Sequence, residues 1–91
     1  KILIFTAFAD TADYLYEHVS KYAGMLGLNT AEVTGTNPGR CTVKKVGGRM
    51  SDILACFSPI SKERDITVPR LKDTDIDILI ATDCISEGQN L

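Results

Sequence analysis

In Asp75-Ile76-Asp77-Ile78-Leu79-Ile80-Ala81-Thr82-Asp83-Cys84-Ile85-Ser86-Glu87-Gly88-Gln89-Asn90-Leu91, residues 76–81 are aliphatic almost throughout rather than alternating with polar ones. A strand buried on both faces reads this way, as in a parallel sheet covered by helices. The run then breaks into small and polar residues, 82–90. Ligands of open α/β sheets sit just beyond the carboxyl ends of the strands. Chemistry is therefore expected at the hydroxyls of Thr82 and Ser86, the carboxylates of Asp83 and Glu87, and the bare backbone of Gly88.

Working outward, residues 1–6 read as a first strand, with Ile2, Leu3, Ile4 and Phe5 consecutive. A helix follows, with Asp10 or Thr11 as its N-cap and Asp13 in its first turn, where a carboxylate suits the positive end of the helix dipole. Ala12, Leu15, Tyr16, Val19, Ala23 and Leu26 form one apolar stripe, and Gly27 is placed to end the helix in the left-handed conformation. Residues 29–34 read as a weaker strand, and Gly35-Thr36-Asn37-Pro38-Gly39 as a loop. A second helical stripe comprises Val46, Met50, Ile53, Leu54 and Phe57. Gly47 and Gly48 weaken its first turn and move its start toward Arg49 or Ser51, and Pro59 ends it. Residues 61–74, rich in charge with Pro69 in the middle, read as a surface excursion carrying a short helical turn. The order β-α-β-α-β predicts an α/β fold with a mainly parallel sheet flanked by helices.

The 91 residues form at most one small domain, and the 44% apolar share argues against disorder. No apolar run approaches the ~18 residues of a membrane span, and the first residues lack the features of a secretory signal. A net charge of −2 is too balanced to indicate nucleic-acid binding by itself. Cys41, Cys56 and Cys84 form no C-x-x-C pair and read as reduced thiols of a cytoplasmic protein. His18, the single histidine, falls in a helical pattern as a surface residue. Arg40, Lys44, Lys45 and Arg49 have no acid among them and read either as a DNA-facing patch or as a solvated face. Tyr14, Tyr16 and Tyr22 read as packing or surface residues.

Ile78-Leu79-Ile80-Ala81-Thr82-Asp83-Cys84-Ile85-Ser86-Glu87-Gly88-Gln89-Asn90-Leu91 closely resembles motif V of superfamily 2 helicases, in its Swi/Snf-like form. Lys1-Ile2-Leu3-Ile4-Phe5-Thr6-Ala7-Phe8 resembles motif IV. Thr34-Gly35, followed by Arg49, Ile53 and Phe57, is similar to the family's threonine-glycine turn and the helix after it. The resemblance implies a partial RecA-like domain over residues 1–91, three-layered, from the second lobe of an ATP-dependent DNA helicase or translocase. It implies nucleic-acid phosphate contacts at Thr6, Ala7, Phe8, Thr82 (through hydroxyl and amide) and Asp83, because backbone amides and small hydroxyls bind phosphate without reading sequence. It implies that Glu87 and Gly88 face ATP, with Gln89 and Asn90 holding the loop. It also implies an upstream RecA-like lobe that holds Mg with the nucleotide, duplex DNA as partner, and a cytoplasmic, nucleoid or nuclear location.

The sequence departs from the family in two segments, residues 38–48 and 61–74, which differ from its usual connections. Glu87 before Gly88 and Asn90 after it favour the Swi/Snf-like form over the RNA helicases. The chain has no Gly-x-x-x-x-Gly-Lys-Ser/Thr phosphate loop, no Asp-Glu metal box and no arginine-rich motif VI to supply a finger for the γ-phosphate. It reads as a piece of a longer protein that holds no catalytic residue of its own. The alternative is a non-catalytic α/β interaction or small-ligand-binding module.

Overall fold

The computed structural model describes residues 1–35, 38–60 and 62–82. They fold as a four-stranded sheet with helices on both faces. The elements are β1 (Ile2–Phe5), α1 (Ala9–Met25), β2 (Thr30–Val33), β3 (Arg40–Cys41), α2 (Met50–Phe57), α3 (Arg64–Thr67), a 3₁₀ turn (Pro69–Leu71) and β4 (Ile78–Ala81). The strand order is β1-β4-β2-β3. β4, last in the chain, lies in the middle and pairs in parallel with β1 (Leu79 opposite Leu3) and with β2 (Leu79 opposite Ala31). All four of its residues are buried, as expected of a continuous aliphatic run.

Alternation along the strands sorts the two faces. Ala31, Val33, Leu79 and Ala81 join Ile53, Leu54 and Phe57 of α2 in the main core. Glu32 turns the opposite way, toward α1, where Asp13 and Glu17 meet its partner Arg40. α1 buries only Ala12 and Ala23 completely. Of its expected stripe, Leu15, Tyr16 and Val19 are half-buried and Leu26 is 62% exposed, because the helix has already ended there.

α1 begins at Ala9, earlier than the sequence suggests. Phe8, not Asp10 or Thr11, is its N-cap and offers no side-chain cap, so Asp10 is the first-turn acid. Thr6 takes up the turn instead, its hydroxyl donating to the Phe8 carbonyl at 2.9 Å, a local bond that competes with cap placement further on. The other end matches expectation. Gly27 has φ +75°, with Leu28 N–H bonded to Ala23 O and Gly27 N–H to Gly24 O, a double C-terminal cap.

β3 departs from the sequence reading, and residues 61–74 hold the expected short helical turn, α3, but bury more than expected. Residues 40–41 form a short antiparallel edge against β2, held by Gly39 N–H donating to Gly48 O at 3.0 Å. A Cβ on Gly48 would lie 2.4 Å from Gly39 O, so the two backbones meet where no side chain fits. The 61–74 segment is not only a surface excursion. Leu71 is fully buried, and Arg64, itself 7% exposed, donates to Thr74 O at 2.6 Å and to Asp75 at 2.7 Å. Lys1, at the foot of β1, donates to Ile76 O at 2.6 Å and joins the approach to β4.

Candidate functional site

Phe5, Ala81 and Val33 stand opposite one another at the last register position of β1, β4 and β2. The next residues, Thr6, Thr82 and Thr34, form a row of threonines along the carboxyl edge of three adjacent parallel strands. The sheet's own hydrogen bonds extend into the row: Thr6 N–H donates to Ala81 O at 2.9 Å and Thr82 N–H to Val33 O at 3.2 Å. Thr6 and Thr82, 76 positions apart in the chain (82 − 6), are thus neighbours. Thr34, read in sequence as the end of a weak strand and part of a turn, completes the row. Its signal was the hydroxyl directly after a strand, the feature already noticed at Thr6 and Thr82.

These bonds correct part of the expected chemistry. The amide of Thr82 is committed to Val33 and its residue is only 3% exposed, so its hydroxyl alone is left for a phosphate. Both donors of Thr6 are engaged, the amide with Ala81 and the hydroxyl with Phe8 O. Among the described residues the amides of Ala7 and Phe8 have no hydrogen-bond partner, and both residues are exposed. They lead into the uncapped first turn of a 17-residue helix, where the N–H groups and the dipole favour an anion. Backbone there, more than the Thr6 side chain, is open to an anion. Asp83, Glu87 and Gly88 lie outside the described residues.

Arg40 leaves the basic run, whose other members, Lys44, Lys45 and Arg49, are exposed. Arg40 is drawn into α1: its Nε donates to Glu32 Oε1 at 2.9 Å, one Nη to Glu17 at 2.9 Å and the other to Asp13 at 3.4 Å. Its guanidinium also lies 4.3 Å from the centre of the Tyr16 ring. Burial pushes the Glu32 carboxyl above its ordinary value, a hydrogen bond with Asp13 pushes it further, and Arg40 opposes both. Glu32 is 2% exposed, and among the described residues no N–H group donates to its second oxygen, which leaves it to the acid Asp13. This acid group carries no signal along the chain, since its members come from three elements.

A larger cavity of about 690 Å³ lies beside α2, with Arg49, Lys62 and Arg70 at its rim and Met50, Leu54 and Val68 on its walls. Arg70 is engaged there with Asp52 at 2.7 Å. Burial raises the thiols of Cys41 and Cys56 above the usual range, which makes them poor nucleophiles and suits a packing role. His18 is exposed and rests against Tyr14, with ring centres 4.4 Å apart. Among the described residues no group of His, Cys, Asp and Glu is arranged to hold a metal ion, and no helix is long and apolar enough to cross a membrane. Compared with protein-family models, curated proteins and solved structures, the chain matches none.

Proposed function

We propose that the chain is part of the second RecA-like lobe of a superfamily 2, Swi/Snf-like, ATP-dependent DNA helicase or translocase. The observation that carries the proposal is the row at the carboxyl edge. Motif-IV-like Thr6-Ala7-Phe8 and motif-V-like Thr82 come from opposite ends of the sequence and meet on adjacent strands. The amides of Ala7 and Phe8, without a partner among the described residues, add donors suited to a phosphate backbone. The mainly parallel sheet with helices on both faces is compatible with such a lobe.

In this reading ATP, with Mg held by an upstream lobe, binds between two lobes and draws them together. Glu87 and Gly88 face the nucleotide, while Thr6, Ala7, Phe8, Thr82 and Asp83 grip the DNA backbone. Hydrolysis reopens the cleft and shifts which lobe holds the strand more tightly. A grip on phosphates makes affinity fall with salt and depend little on base sequence. The protein acts in the cytoplasm, the nucleoid or the nucleus.

The test is ATP hydrolysis by a protein that joins this chain to an upstream lobe and a downstream arginine-rich segment, measured with duplex DNA, single-stranded DNA and RNA. Strong stimulation by duplex DNA is the expected result. Absence of hydrolysis from the folded protein under every condition overturns the proposal. It would favour a small-ligand module, for which the cavity beside α2 is the supporting observation: its volume falls within the roughly 300–1,000 Å³ typical of ligand sites.

A further inference from the structure

α2 is covered twice. From Asp52 to Phe57 every one of its residues is buried, with the sheet on one side and residues 62–70 on the other. Between the helix and that second cover lies the cavity of about 690 Å³. Its outer wall is fastened, because Leu71 is fully buried and Arg64 is tied to Thr74 and Asp75. Met50, Leu54 and Val68 give the cavity an apolar lining. The charged groups that line it are Arg49, Lys62, Arg70 and Asp52, three cations to one acid. Asp52 is already taken, its Oδ2 accepting from Arg70 Nη2 at 2.7 Å. A second bond, from Arg70 Nη1 to Lys45 O at 2.6 Å, holds that guanidinium in place and leaves further N–H groups of its fork unused. Arg49 is exposed, and among the described residues its side chain has no hydrogen-bond or ion-pair partner. An apolar recess edged by surplus positive charge is suited to a molecule with an apolar body and an anionic head.

We propose that this cavity binds a small organic phosphate, a monoester whose apolar or aromatic body lies on Met50, Leu54 and Val68 and whose phosphate meets Arg49 and Arg70. A phosphate monoester carries close to two negative charges at neutral pH, which matches the surplus of the lining (three cations less one acid). Guanidinium groups suit such a head, since their planar forks take phosphate oxygens in pairs. Arg70 is braced in advance by Asp52 and the Lys45 carbonyl, and Arg49 meets the head from the start of α2. The cavity shares no residue with the threonine row, so the proposal goes beyond the helicase reading and holds without it.

The experiment is a titration of the isotopically labelled chain with phenyl phosphate at neutral pH and constant ionic strength, followed by NMR. Parallel titrations use inorganic phosphate, which has the head alone, and benzyl alcohol, which has the body alone. Saturable shifts are expected at the amides of Met50, Leu54, Val68 and Arg70 and at the Met50 methyl. Phenyl phosphate should bind roughly tenfold more tightly than inorganic phosphate, because its ring leaves water on binding, and more tightly than benzyl alcohol. Arg49→Gln removes an exposed cation without a partner among the described residues, so folding does not depend on it. That variant should bind phenyl phosphate roughly tenfold more weakly, the scale of one charge-assisted hydrogen bond. Lys72→Gln removes an equal charge from an exposed residue outside the cavity lining and should leave binding unchanged. Four results would each overturn the site: no saturable shift at these amides, equal binding of inorganic phosphate, equal binding by the Arg49→Gln chain, or displacement of phenyl phosphate by a short oligothymidylate that binds the same residues more tightly. The last would assign this surface to nucleic acid. None of these readouts involves ATP hydrolysis, so failure here is distinguishable from failure of the helicase proposal.

Discussion

Gly48 and Gly24 show how differently two glycines of one chain can bear a methyl group. At Gly48 the added carbon would lie 2.4 Å from the Gly39 carbonyl, a backbone atom that moves only with the hairpin. Gly48→Ala should destabilise the fold by about 1–3 kcal/mol, as overpacking does. At Gly24, inside α1, nothing lies within 4 Å. Gly24→Ala should stabilise by roughly 0.5–1 kcal/mol through helix propensity. Urea midpoints of the two variants should move in opposite directions. Glu32 makes a second prediction, about pH. Its carboxyl titrates above the ordinary 4.5 in the folded chain, so folding takes up a proton. The associated stability is fully present below pH 4.5 and is lost as pH rises through the higher folded value. Glu32→Gln should remove this component, leaving a flatter dependence of the urea midpoint on pH in that window. Neither residue announces its role in sequence. Gly48 reads as a weak helix start, and Glu32 as the odd charge in a strand, because both roles depend on a partner supplied by another element.

At the scale of elements, unbroken apolar runs made β1 and β4 legible and apolar stripes made α1 and α2 legible, with β2 read as a weaker strand. β3 was not legible: two residues carry no period, and their pairing rests on the Gly39–Gly48 contact and on Arg40 reaching α1. The 61–74 segment was legible as a surface stretch with a short helical turn, α3, but not in what it buries. Its charged residues suggested solvent, yet one of them, Arg64, is the buried peg that fastens α3 to the entry of β4. Arg64→Ala leaves the Thr74 carbonyl and Asp75 without this donor. The loss should be about 1–3 kcal/mol, allowing for the exposure of Asp75. Hydrogen exchange should speed up over residues 64–76 first, with α1 keeping its protection; uniform acceleration across the chain would refute the peg.

For the whole molecule, the aliphatic run at residues 76–81 carried the architecture correctly into a mainly parallel sheet with helices on both faces. The threonine row was half legible, because a hydroxyl at a strand's end can be read locally while the neighbour it meets cannot. The loss of the Thr82 amide to Val33 belongs to this scale too, since only the assembled sheet decides which donors remain free. Residues 83–91, on which the nucleotide side of the proposal rests, carry that part of the argument by resemblance alone. A chain ending at Thr74 should retain neither β1 pairing nor the fixed core, seen as loss of dispersion in its NMR spectrum.

That expectation has a temporal side. Among the described residues β1 pairs only with β4, and β2 otherwise pairs only with the two residues of β3. During synthesis the first strand must therefore wait, unpaired, while some seventy residues follow it, for Ile78 to meet Ile2. Such distant pairing makes folding slow and leaves aliphatic strands uncovered meanwhile. Among the described strands, the ribosome thus releases the central one after its neighbours on both sides.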